Sequence, residues 1–275
     1  MRILEILAKN NLLPALIITA PDKPVGRKMK LAPSPAKQWA QKNNIPFEYD
    51  YSKLVSIKPD LFVVASYGKI IPSEILKIPK YGGLNVHPSL LPKFRGASPI
   101  QSFILSEEKE TGVTIMLMDE EMDHGPILAS SKFQVLSSKL TYKELEEKLA
   151  ELGGNLLVEI IPKWINNEIR LQEQDHSKAT FTKKITKEDG LINLETDSPE
   201  IIERKIRAFT PWPGAYTFID NKRLIITKAE LKNGRLVIER VKPEGKKEMD
   251  FRDFLRGYKG NLDYFVTNGT KAKPG

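Results

Sequence analysis

Residues 83–101 read GLNVHPSLLPKFRGASPIQ, and the opening of this stretch decides how the chain around it is read. Leu84 and Val86 form a short apolar run that Asn85 and His87 interrupt. On a strand, residues two apart project to the same face, so Asn85 and His87 emerge side by side. A loop dense in Pro, Ser, Gly and Arg then ends the element. An amide donor beside an imidazole at a strand end is one way to build polar catalysis. Two polar residues capping a strand end is the plainer alternative. The chain holds only three histidines, so the placement of this one carries information.

Outward from this stretch, short apolar runs alternate with helical patterns. Residues 15–19, 61–65, 84–87 and 112–118 read as strands. Helices are expected over 36–43, 73–76 and 100–106, and a longer one over 141–161. In the last, Leu145, Leu149, Leu152, Leu156 and Ile160 recur at helical spacing, and Thr141 with Glu144 forms a capping box. Unbroken apolar strands alternating with helices predict an α/β fold with a mostly parallel sheet covered on both faces. Such sheets bind ligands at the carboxyl ends of their strands, where Asn85 and His87 fall.

The pattern stops in residues 171–189, which read as a linker between a domain of residues 1–170 and one of residues 190–275. A helix is expected over 199–208, then strands over 215–219, 224–228 and 235–239. Asp220-Asn221 and Asn233-Gly234 mark the turns of a small β domain. Composition fits a soluble globular protein: 40% hydrophobic, 28% charged, no cysteine. No run is long enough for a transmembrane helix, and the N-terminus lacks the pattern of a signal peptide. The absence of cysteine excludes thiolate nucleophiles and cysteine-based zinc sites, and suits a cytoplasmic location. The net charge of +8 points to a polyanionic partner. Most of that excess falls in residues 190–275.

Three further segments carry candidate chemistry. Asp123, in MDEEMDHGPI, can orient His87 or help deprotonate an amine; a turn aspartate capping local amides is the plainer reading. Asp119, Glu120, Glu121 and His124 compete with it. Residues 21–37, PDKPVGRKMKLAPSPAK, form a long basic loop whose Lys23, Arg27, Lys28 and Lys30 can track a phosphate backbone. Trp212, between Pro211 and Pro213, is expected as a packed aromatic anchoring the β domain. No nucleotide-binding or metal-binding motif is present, and no metal is expected.

Taken together, PDKPVGRKMKLAPSPAK, ASYGKIIP, NVHPSLLPKFRGASPIQ, ETGVTIMLMDEEMDHGPIL, KLAELG and RAFTPWPGA resemble, in order, segments of the methionyl-tRNA formyltransferase family. The resemblance implies a Rossmann-like catalytic domain followed by an OB-like barrel that contacts tRNA. It implies catalytic roles for Asn85, His87 and Asp123. It implies formyl transfer from 10-formyltetrahydrofolate to the α-amine of initiator methionyl-tRNA by a bacterial, cytoplasmic, monomeric enzyme. The folate pocket is expected from residues 65–72 and 119–127. Its contacts would be Ser66, Tyr67, Gly68, Ile70, Ile71, Pro72, Ser89, Leu90, Leu91, Pro92 and Met122, and the tRNA contacts Lys23, Arg27, Lys28 and Lys30. Against the family pattern, Met1 falls inside the first helix. The first strand, central in such a sheet, is therefore expected to be missing, leaving its two neighbours' edges exposed. The C-terminal domain is shorter than usual, so its barrel is expected to lack one or two strands. The alternatives are a formyltransferase acting on a small amine, such as an amino sugar or glycinamide ribonucleotide, and an inactive RNA-binding relative.

Overall fold

Apolar runs and caps become elements close to where the sequence puts them. The structure is a computed structural model that describes residues 1–25, 29–135 and 139–258. In chain order its main elements are α1 (Arg2–Lys9), β1 (Ile17–Ile18), β2 (Lys23–Val25), β3 (Lys30–Ala32), α2 (Pro35–Lys42), β4 (Phe47–Glu48), α3 (Leu54–Ile57) and β5 (Phe62–Val64). They continue with α4 (Ser73–Leu76), β6 (Gly83–His87), β7 (Arg95–Gly96), α5 (Pro99–Leu105), β8 (Glu110–Leu117), β9 (Ile127–Gln134), α6 (Tyr142–Ile165) and β10 (Phe181–Thr182). The last are α7 (Pro199–Phe209), β11 (Ala215–Ile219), β12 (Lys222–Lys232), β13 (Arg235–Pro243), β14 (Met249–Asp250) and α8 (Phe251–Gly257). Ser34 and Ser198 cap α2 and α7 by accepting the amides of Lys37 and Ile201, each with proline in the first helical turn. Thr141 and Glu144 form the expected capping box, with the Thr141 amide donating to Glu144 Oε2 at 2.8 Å. Among the described residues no helix is long and apolar enough to cross a membrane.

The chain divides into two compact units. The first comprises Met1–Gly96, Glu110–Gln134 and Glu147–Phe181. Here β1 pairs with β4, and β5 with β6, both in parallel, Val64 standing opposite Asn85. Antiparallel β8 and β9 extend the sheet to the order β5-β6-β8-β9. The β1–β4 pair belongs to a separate sheet. Sequence reading passed over β9, whose ILASSKFQ alternates between half-buried and exposed residues only from Ala129 onward, with Leu128 buried, and carries little apolar signal. Leu84, Val113, Ile115, Leu149 and Leu157 are at most 1% exposed and form the core. At Gly153 of α6 a Cβ would lie 2.6 Å from Val86 Cγ1, so the missing side chain lets the helix backbone settle onto the sheet. Val86 thus faces α6, and by strand alternation Asn85 and His87 face the other way. The polar pair therefore lies over the sheet face opposite α6, not merely beyond a strand end.

Residues 21–37, read as an irregular loop, contain a two-stranded antiparallel ribbon in which Lys23 pairs with Ala32 and Val25 with Lys30. Backbone pairing outweighs the loop-like composition there.

The second unit comprises Ala97–Lys109, Val135–Glu146 and Thr182–Gly275. Strands β11 to β14 form an antiparallel sheet in sequential order. Both expected turns carry positive φ at their two central residues: 48° and 59° at Asp220-Asn221, 52° and 71° at Asn233-Gly234. Among the described residues the sheet is open rather than a closed barrel. Its core gathers Ile192, Ile202, Ile206, Ile226, Leu236 and Phe251, with α7 and α8 supplying part of it. Trp212 is 54% exposed, so it is not the packed anchor expected of it; Phe209, at 2%, is buried instead.

Candidate active site

The site begins on β6. Asn85 and His87 project from one face of the strand, as their spacing requires. Asp123 reaches them from the loop between β8 and β9, and its carboxylate touches three groups. Asn85 Nδ2 donates to Oδ1 at 3.2 Å, the Gly96 amide donates to Oδ2 at 2.7 Å, and His87 Nδ1 stands 3.5 Å from Oδ1. Asp123 itself takes φ 51°, a left-handed conformation that aspartate tolerates better than most residues. The loop turns tightly because Gly125 follows: a Cβ there would sit 2.0 Å from the Leu117 carbonyl oxygen.

His87 is 4% exposed, and its Nε2 lies 3.0 Å from the Phe94 carbonyl oxygen. A carbonyl only accepts, so Nε2 carries the proton. In the neutral ring Nδ1 then holds the lone pair, on the side of Asp123. Burial lowers the His87 pKa, and Asp123 opposes that shift. A proton arriving at Nδ1 would create an imidazolium beside a carboxylate, which is the arrangement of a general base with a supporting acid group. The linkage has a definite sign. The unfolded chain binds the proton more readily than the native one, so stability falls as pH drops below the ordinary imidazole value of about 6.5. If neutral His87 is the working form, the acid limb of kcat/KM lies below that value; a limb at or above it would contradict this protonation state.

Three of the four competing side chains, Asp119, Glu120 and His124, are engaged elsewhere. His124 Nδ1 donates to Asp119 Oδ2 at 2.7 Å, and Ser73 Oγ donates to Glu120 Oε1 at 2.5 Å. The His124 ring stacks on that of His176, with centroids 4.1 Å apart.

Sequence reading missed the groups that hold the site together. The Phe94 carbonyl fixes His87 and the Gly96 amide fixes Asp123. Thr180 accepts the Phe94 amide on its hydroxyl and the Arg95 amide on its carbonyl, both at 2.8 Å. Gln174 is 5% exposed and bridges Arg95 to the Asp123 loop. Gln174 and Thr180 both lie in the stretch read as a linker. Only the bare conjunction Arg95-Gly96 offered a signal.

The expected folate contacts divide. Ile70 and Met122 are 83% and 58% exposed and offer apolar surface, and Gly68 turns with φ 70°. Tyr67 lies against Tyr51, the ring centroids 6.3 Å apart. The Ser73–Glu120 hydrogen bond ties the segment after Ile70 to the loop that bears Met122. Ser66 takes a left-handed φ of 51°. Ile71 and Leu91 are buried, and Ser89, at 0% exposure, donates its hydroxyl to the Lys93 carbonyl at 2.6 Å. These three therefore expose little side-chain surface. The Pro92 carbonyl accepts the Thr180 amide, and a Leu90 methyl packs toward Gly112. Lys23 and Lys30 are exposed on the β2–β3 ribbon, while Arg27 and Lys28 lie outside the described residues. Among the described residues no cluster of side chains suits a metal ion.

Comparison with known proteins bears on this geometry. A formyl transferase family profile matches residues 2–161, and a formyl transferase C-terminal domain profile matches residues 184–235. The methionyl-tRNA formyltransferase of Dictyoglomus thermophilum is 40% identical over 285 residues, covering 90% of each chain. That of Thermotoga maritima is 43% identical over 227 residues, covering 80% of this chain and 72% of its own. Among solved structures, the methionyl-tRNA formyltransferase from Clostridium thermocellum aligns with a TM-score of 0.56 at 21% identity, over 75% of this chain and 91% of that one. The N-formyltransferase from Helicobacter canadensis, in complex with folinic acid and dTDP-3-aminofucose, aligns with a TM-score of 0.61 at 21% identity, over 90% and 93%. The structural likenesses speak for the Rossmann-like fold; the sequence matches, spanning nearly the whole chain, speak for the family. The chain belongs to the formyl transferases, among the methionyl-tRNA formyltransferases.

Proposed function

We propose that this chain transfers the formyl group of 10-formyltetrahydrofolate to the free α-amine of initiator methionyl-tRNA. The observation that carries this reading is the convergence of Asn85, His87 and the Gly96 amide on one carboxylate, Asp123. The amine must be neutral to attack. As its nitrogen bonds to the formyl carbon, the carbonyl becomes an oxyanion, and the Asn85 amide, which has a second N–H besides the one given to Asp123, can stabilise it. The amine's proton passes to the His87–Asp123 pair. It then goes to N10 of the folate as the bond from N10 to carbon breaks, so atoms and charge balance. Exposed Ile70 and Met122, on segments joined through Ser73 and Glu120, suit a flat ring system.

The basic ribbon supports the choice of acceptor. Lys23 and Lys30 stand exposed on β2 and β3, beside Met29 and Leu31 at 67% and 69% exposure. Cations beside apolar side chains suit the phosphates and bases of an RNA end. In this reading residues 1–170 are catalytic, residues 171–189 connect while lending Gln174 and Thr180 to the site, residues 190–275 contact tRNA, and the enzyme works as a cytoplasmic monomer.

The test is formylation of charged initiator tRNA against a nucleotide-linked amino sugar and glycinamide ribonucleotide, with 10-formyltetrahydrofolate as donor. Turnover on the tRNA alone is expected. Transfer to a small amine but not to tRNA would refute the reading, and tRNA binding with no transfer to any acceptor would mark an inactive relative. Replacing Lys23 and Lys30 together by alanine should flatten the salt dependence of tRNA binding by about one unit of log–log slope for each phosphate no longer neutralised. An unchanged slope would remove the ribbon from the interface.

A further inference from the structure

Gln174 lies 51 residues beyond Asp123 in sequence, yet its side chain spends all its polar atoms at the site. Its Oε1 accepts from Arg95 Nε at 3.2 Å and Nη2 at 2.6 Å. Its Nε2 donates to the Asp123 carbonyl at 3.0 Å and the Gly125 carbonyl at 2.7 Å. The two loops it joins are the ones whose backbones set the catalytic pair. One carries the Phe94 carbonyl that holds His87 and the Gly96 amide that holds Asp123; the other carries Asp123 itself. Arg95 donates further to His176 Nδ1 at 2.9 Å, so the clamp reaches the His124–His176 stack.

We propose that Gln174 is a positioning residue for formyl transfer, holding the Asp123 loop against the Arg95 loop so that the Asp123 carboxylate meets Asn85 and His87. An amide is the group that suits this place. A carboxylate would accept from Arg95 equally well but could not donate to the two carbonyls, and a lysine or arginine could donate but not accept from Arg95. The left-handed backbone at Asp123 needs such support, because strained residues persist only where their surroundings over-determine them. This inference rests on the assignment of Asn85, His87 and Asp123 as the reacting groups.

Gln174→Glu separates the two halves of the clamp. It keeps the acceptor for Arg95 and turns the donor toward the carbonyls into a second acceptor. With methionyl-tRNA and 10-formyltetrahydrofolate, kcat should fall by about 10²-fold, the cost of a misplacement near 1 Å, while KM for both substrates stays within a small factor. Combined with Asp123→Asn, it should add nothing beyond about twofold, because residues acting as one unit are not additive. Wild-type kcat in Gln174→Glu, a rise in KM at constant kcat, or full additivity with Asp123→Asn would each overturn the proposal. Gln174→Met, of similar volume and without polar atoms, is read the same way should Gln174→Glu not fold. If neither yields a folded protein by circular dichroism, the residue serves stability rather than positioning and the proposal fails. Full activity of Asp123→Asn alone would instead overturn the underlying site assignment, whatever Gln174 does.

Discussion

Asp123→Ala should lower kcat roughly 10²–10⁴-fold, the range spanned by positioned proton-transfer groups, while the protein remains folded. The substitution removes a carboxylate on which the rest of the site converges. Asn85 loses the acceptor for one N–H, the Gly96 amide loses its partner, and His87 loses the anion that would stabilise its protonated form. Asn85→Ala is the narrower lesion. It deletes one oxyanion donor, for which the expected loss is about 10²–10³-fold. Single-turnover formylation at saturating folate measures both, with far-UV circular dichroism as the check on folding. Turnover within a few-fold of wild type in Asp123→Ala would take the proton-transfer role away from the pair.

Gly125→Ala is expected to damage stability and rate together. The added Cβ would stand 2.0 Å from the Leu117 carbonyl oxygen, and a backbone atom cannot swing aside as a side-chain tip can. Either the loop or the end of β8 must move. The hydrogen bonds at risk run from the Leu117 amide to the Pro126 carbonyl and from Gln174 to the Gly125 carbonyl. Overpacking of this kind costs about 1–3 kcal/mol, and a 1 Å displacement of Asp123 about 10²-fold in rate. Urea unfolding with parallel kinetics checks it. An unaltered midpoint with full activity would show that the loop has more room than the close approach at Gly125 implies.

How far the site was legible follows from the range of each interaction. Asn85 and His87 sit two apart on one strand, so the pleat alone puts them together. Asp123 was one of several acidic residues in a short run, and nothing local distinguishes it from Asp119, Glu120 or Glu121; in space, hydrogen bonds to His124 and Ser73 engage Asp119 and Glu120 elsewhere. Gln174 gave no signal at all, because a buried polar residue within a polar stretch resembles its solvated neighbours until the chain folds back over it. Strand β9 was passed over for a related reason: its half-exposed alternation leaves little apolar contrast to read. The ribbon at residues 21–37 reads as loop because its pairing partner, not its composition, makes it a strand.

By itself, the sequence determined what acts over a few residues. The serine-capped, proline-led starts of α2 and α7, the capping box of α6, the hairpin turns at Asp220-Asn221 and Asn233-Gly234, and the shared face of Asn85 and His87 all follow from local geometry. Tertiary structure alone decided which carboxylate reaches the imidazole, which carbonyl sets its tautomer and which amide clamps the two loops. Those contacts span from 7 to 79 residues and depend on close approaches such as that at Gly125. No periodicity encodes them, because they form only where packing on the far side of the sheet has already fixed the strand that carries the site.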